Sequence, residues 1–102
     1  MKHAIARICW LGPHYGGRQR PVTGLRYMSP VLLGQDAEAA WTLVVYRSQE
    51  APRDEETVLV HFLMDDAPHD RLEAETIFRL TEGARVVAEG KVSETFDLSA
   101  AA

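Results

Sequence analysis

The sequence predicts an all-β fold, a six-stranded antiparallel closed β-barrel, on three observations. Apolar residues recur at every second position through most of the chain, the period of a half-buried strand. Six such segments are separated at near-regular spacing by polar connectors containing Gly, Pro, Asp and Ser. Two of the segments are apolar on both faces, and closing the sheet removes the exposed edges that such strands would otherwise present.

Ala4–Leu11 is the first predicted strand and stops at Gly12-Pro13. Val22–Leu33 is the second, with a bend or bulge where Gly24 and Ser29-Pro30 interrupt it. Asp36–Ala40 is the only segment with the makings of a helical turn, too short to stand alone. Trp41–Arg47 and Thr57–Asp65 are β-branched and aromatic, apolar on both faces, and read as central strands or as strands with a covered outer face. Leu72–Leu80 alternates, with Leu72, Ala74, Thr76, Phe78 and Leu80 on one side. Arg85–Val92 alternates likewise, with Val86, Ala88, Gly90 and Val92 on one face. The Thr81-Glu82-Gly83-Ala84 connector makes these two a hairpin. Gly90 reads as a barrel kink rather than a ligand contact. The expected domain is residues 3–93, with 94–102 as a frayed tail.

With 102 residues, 46% of them hydrophobic, the chain is one domain able to form its own core. A single cysteine, Cys9, excludes an internal disulfide. No apolar run approaches the roughly 20 residues of a membrane helix, and Arg7 interrupts the apolar start a signal peptide would need; a cytoplasmic location with no membrane association is the expectation. The net charge of −4 is unevenly distributed: residues 1–35 hold five basic and no acidic residues, and all 15 acids follow. Such polarity suits either an acidic partner or ion pairs made across neighbouring strands.

Catalytic and metal chemistry find little support. His3, His14, His61 and His69 lack the i, i+4 spacing of a helical zinc site, and Cys9 has no C-x-x-C partner. His14 and His69 are expected in solvent, His61 on the barrel surface, and Cys9 in packing. No nucleophile elbow, Walker motif or dinucleotide fingerprint occurs. The expectation is a non-enzyme with no catalytic residue, metal or cofactor. The most unusual segment is Gly12–Pro21, where glycines could let backbone N–H groups converge on an anion beside Arg18 and Arg20.

At this loop a resemblance enters. Gly16-Gly17-Arg18, followed by Pro21, Gly24 and Arg26, resembles the Gly-Gly-Arg stretch in the C-terminal β-barrel, domain three, of elongation factor Tu. The segment Leu80–Val92 is similar to the closing hairpin of the same barrel, in the same order along the chain. Together they span about residues 3–93. The resemblance implies a non-catalytic, six-stranded translation-factor barrel in which Arg18, Gln19, Glu82 and Gly83 would face the T-stem of tRNA, with Arg26 at an interface. The sequence departs from the family at Gln19, Arg20, Ala84 and Glu89, and at Tyr27-Met28-Ser29. The family's GTPase domain and middle barrel have no counterpart in these 102 residues.

The function expected is therefore a stand-alone interaction module, binding a protein or a second copy of itself. Arg18, Arg20 and Arg26 offer about three phosphate contacts where nucleic-acid binders use roughly 6–10, so structured RNA or tRNA is the weaker option and DNA is not expected. An alternative is a small-ligand site or enzyme using His14, Tyr15 and Arg18. Another is a homodimer through outward residues Tyr46, Leu59, His61 and Leu63, with Val44 beside them and Tyr15 as a further interface candidate.

Overall fold

A computed structural model describes residues 1–98. Six strands, β1 (Lys2–Trp10), β2 (Arg26–Leu33), β3 (Trp41–Tyr46), β4 (Glu55–Phe62), β5 (Ile77–Glu82) and β6 (Arg85–Asp97), form one closed antiparallel barrel in the order β1-β4-β3-β2-β5-β6. The expected fold class is borne out. Alternate residues point inward, so Ile8, Leu33, Leu43, Val60, Phe62, Phe78 and Leu80 fill the interior and are almost completely buried. A six-stranded barrel is narrow enough for side chains to fill it.

Several boundaries differ from the sequence reading, each for a local reason. The strand expected at Leu72–Leu80 is β5, starting only at Ile77. Glu75 takes φ 75°, which breaks an extended run, and Thr76 donates its N–H to Glu73 O at 3.0 Å. Leu72 is still fully buried, but from the loop: with Ala67 it closes one end of the barrel. The hairpin turn is tighter than expected, because Glu82 pairs with Arg85 and leaves two residues, Gly83 and Ala84, to turn the chain. β6 carries two extra residues in its ladders. Val87 falls between the pairs Leu80↔Ala88 and Thr81↔Val86, so it turns inward and is buried, contrary to simple alternation. Ser93 falls between Ile5↔Glu94 and Ala6↔Val92.

β6 also runs on to Asp97, with Glu94–Asp97 paired to Ile5–Lys2, so this part of the expected tail is strand. Residues 99–102 lie outside the described residues. Asp36–Ala40 forms a bend without helix; short 3-10 turns occur instead at Pro13–Tyr15 and His69–Arg71. His69 is half-buried rather than solvated: its Nε2 lies 2.7 Å from Asp65 O and its ring edge meets Phe62. Cys9 faces outward beside Glu55 and Glu89, half-buried and outside the core.

Pro30 sits inside β2. The β2–β5 ladder covers only Val31–Leu33, so the missing proline N–H falls where no β5 partner is paired. Side chains close the rest of that seam. Thr81 Oγ1 donates to Pro30 O at 3.0 Å, and Tyr27 reaches Glu82. Among the described residues no helix is long and apolar enough to cross a membrane.

Candidate binding end of the barrel

Antiparallel connectivity places loops 11–25 and 47–54 and the Gly83-Ala84 turn at one end of the barrel. Loops 34–40 and 63–76 lie at the other. The first end collects all six residues singled out for binding. Arg18 and Glu82, 64 positions apart in sequence, are joined by an ion pair. Gln19, Arg20 and Arg26 are exposed, and Gly83 forms the neighbouring turn.

The Gly-Gly pair has a steric origin. Gly16 takes φ 73°, the left-handed region that favours glycine. At Gly17 a Cβ would lie 1.8 Å from Leu11 O, so no side chain fits. The tight curl uses up the donors expected for an anion. The N–H groups of Tyr15 and Gly17 go to Gly12 O at 3.0 Å each, that of Gly16 to Pro13 O at 3.1 Å, and that of Arg18 to Leu11 O at 3.0 Å. The anion cradle expected from this glycine loop therefore does not form; recognition here must rest on side chains.

Beneath the loop lies a buried polar network that the sequence reading missed. Arg47 is wholly enclosed, and its Nε donates to Glu56 Oε2 at 2.8 Å. Trp10 Nε1 donates to the same oxygen at 2.7 Å. The rest of the guanidinium donates to the carbonyls of Val22 (3.2 Å), Gly24 (2.9 Å) and Ala51 (2.7 Å), which ties loops 11–25 and 47–54 together. Glu56 Oε1 is buried with no partner among the described residues. The signal was present in the alternation of β4: two residues back from Val58, Glu56 falls on the inward face, where a carboxylate requires a partner.

The network extends to the surface through a pair of aromatic rings in edge contact. Trp10 meets Tyr27 edge-on at 5.1 Å, and the Tyr27 hydroxyl donates to the Glu82 carboxylate, which also holds Arg18. The Arg18 guanidinium lies 5.7 Å from the Tyr27 ring centre. Partial burial opposes the Arg18 charge, but the hydrogen bond and attraction to Glu82 leave its pKa raised. Burial first, and then the Glu82 carboxylate, push the Tyr27 hydroxyl up to about 12 against the opposing pull of Arg18. Burial and the nearby carboxylates of Glu55, Glu89 and Asp54 also raise the Cys9 thiol, which makes it a poor nucleophile at neutral pH.

A raised Tyr27 pKa has a defined consequence. The unfolded chain releases this proton near pH 10 and the folded chain only near pH 12. The stabilisation is therefore full below pH 10 and is lost as pH rises toward 12. Discounted for partial exposure, it amounts to about 1 kcal/mol. Phenolate absorbance titration should show one of the three tyrosines ionising late. Tyr27→Phe should remove that step and flatten the decline in stability above pH 10. A late step that survives this substitution contradicts the assignment.

Between the two loops lies a cleft of about 290 Å³, with Trp10, Pro21 and Pro52 among its apolar walls and Arg18, Arg20 and Arg53 among its polar ones. A wider concavity of about 900 Å³ shares Trp10 and Arg53 and runs on to Cys9, His14 and Tyr15. Arg20 and Arg53 are exposed and make no ion pair among the described residues. Tyr15, 77% exposed, stands at this end, whereas Tyr46, Leu59 and His61 belong to the outer wall of the barrel and Leu63 follows β4 at the opposite end. Among the described residues no three His, Cys, Asp or Glu side chains converge on a point that could hold a metal. No family model matches the chain, and no curated protein matches it.

Proposed function

We propose that the chain is a non-catalytic relative of the third domain of elongation factor Tu, and that its loop end binds a protein partner presenting an acidic segment. The relationship is supported by the closed six-stranded barrel together with a Gly-Gly-Arg loop and a closing hairpin that meet at one end. The partner class rests on one observation: a cleft with apolar walls whose lining has three arginines, of which Arg20 and Arg53 are exposed, against one acid, Asp54, on loops tied together by the buried Arg47.

The same geometry favours protein over tRNA. Arg18, one of the residues that would face tRNA, is already neutralised by Glu82. The exposed cations left at this end without an ion pair are Arg20, Arg26, Arg53 and Arg85, about four phosphate contacts, and the salt slope for RNA would be no steeper than about −4. A labelled acidic peptide, followed by fluorescence anisotropy, is expected to bind and to lose at least about tenfold in affinity in Arg20→Glu/Arg53→Glu. A tRNA T-stem hairpin should bind no more tightly at equal salt. Tighter hairpin binding with a steeper slope, or peptide binding indifferent to the two reversals, would refute this reading.

A further inference from the structure

Strands β1 and β4 bring together two histidines that the sequence keeps far apart. The register pairs Ala4 with Val60 and Ile5 with Leu59, so one step beyond the first pair His3 stands opposite His61. Both belong to the outward face, since the adjoining Ala4, Val60 and Phe62 turn inward and are fully buried. Their rings lie 4.7 Å apart, centre to centre, and are tilted by 52°. Tyr46 lies 5.5 Å from His61 and Phe96 lies 6.0 Å from His3, so the pair is the middle of a row of four rings.

Hydrogen bonding fixes which nitrogen each imidazole presents. His3 Nδ1 is 2.9 Å from Met1 O, and His61 Nδ1 is 2.7 Å from Phe62 O. A carbonyl oxygen only accepts, so each Nδ1 carries a hydrogen and donates it. In the neutral rings both Nε2 atoms then hold a lone pair. A backbone carbonyl on the other ring nitrogen is a usual support of a metal-binding histidine. His3 Nε2 makes no hydrogen bond among the described residues, and His61 Nε2 has only the Tyr46 hydroxyl, at a long 3.2 Å.

The spacing fits a shared ion. Two imidazoles held at about 2.0–2.1 Å from one four-coordinate ion have ring centres roughly 4.5–5.2 Å apart. The observed 4.7 Å falls within that span, so neither strand has to move for both rings to reach one ion. No Lys or Arg adjoins the pair: the register sets Val44 and Phe96 beside it across the sheet, and Ile5 and Leu59 along it. We infer that His3 and His61 form a two-imidazole site for a borderline divalent cation of the zinc class. Imidazole suits such an ion, whereas magnesium and calcium take oxygen ligands. Two protein ligands leave the remaining positions to water, which makes this an exchangeable ion rather than a condition of folding. The site lies on the barrel wall and does not depend on the reading of the loop end.

Calorimetric titration of the full chain with zinc chloride alone, in a buffer that does not bind metal, tests this. One ion per chain is expected, with a Kd in the micromolar range. In NMR spectra the ring C–H signals of His3 and His61 should move, while those of His14 and His69 stay. His61→Phe and His3→Phe each keep a ring in the wall and remove one ligand, and each should weaken binding at least about tenfold. Zinc should raise the Tm of the parent chain and leave that of His61→Phe unchanged. No binding up to about 1 mM zinc, binding that survives His61→Phe, or signal shifts confined to His14 and His69 would each overturn the proposal.

Discussion

Arg47→Met should destabilise the protein by about 3–5 kcal/mol, because it leaves the Glu56 carboxylate buried without its cation. Oε2 keeps only the Trp10 indole, and Oε1 has no partner among the described residues. The carbonyls of Val22, Gly24 and Ala51 also lose their donor, so the two loops it joins should loosen. For a domain of this size the loss is a fall of roughly 15–30 °C in Tm, read by thermal or urea unfolding. Arg47→Met/Glu56→Leu should recover part of the loss, since a buried ion pair replaced by apolar residues often costs little. Recovery should be incomplete, because Trp10 Nε1 then lacks its acceptor. A single Arg47→Met variant within about 1 kcal/mol of the parent would show that the pair is not enclosed as described.

Gly90→Ala is expected to cost about 3 kcal/mol or more. Gly90 stands opposite Phe78 in the β5–β6 ladder, and a Cβ there would lie 2.3–2.8 Å from three atoms of the Phe78 ring. Phe78 is fully buried, so the ring has nowhere to turn and the ladder must shift. Replacing glycine in a strand would otherwise stabilise by roughly 0.4–1 kcal/mol through the unfolded chain. Steric overlap wins by a clear margin, and Tm should fall by roughly 10–20 °C. Phe78→Leu in the Gly90→Ala background should regain part of this in a double-mutant cycle, because both substitutions act on one contact. Strict additivity would mean that Gly90 is needed for some other reason. The sequence reading of Gly90 as a feature of the barrel rather than a ligand contact agrees with this packing, although the cause is space for a ring rather than a bend.

The first four strands were legible because a period of two is a local property, although β2 begins at Arg26 rather than Val22 and β4 ends at Phe62 rather than Asp65. Val58, Val60 and Phe62 announce an inward face without reference to any other strand. Closure followed from the two strands apolar on both faces, and Val44, on the outer side of β3, is indeed completely covered. Periodicity misled where the backbone left the extended region, at Glu75, and where an extra residue reversed the faces, at Val87. Neither leaves a mark in hydropathy: Glu75 looks like any outward strand residue, and Val86 and Val87 are the same residue type.

The candidate site divides in the same way. The glycine loop, its arginines and the closing hairpin stood out in the sequence as separate segments, and so did Tyr46, Leu59 and His61 as outward residues. Tertiary structure alone decided that Arg18 would be taken up by Glu82, that Arg47 and Glu56 would be sealed beneath Trp10, and that the outer aromatic residues would align in one row across four strands. The sequence by itself determined which residues turn inward and where the chain reverses, because alternation and turn chemistry act over a few residues. Which side chains meet depended on register and ring closure, which join residues as much as 64 positions apart and are set by the whole sheet at once.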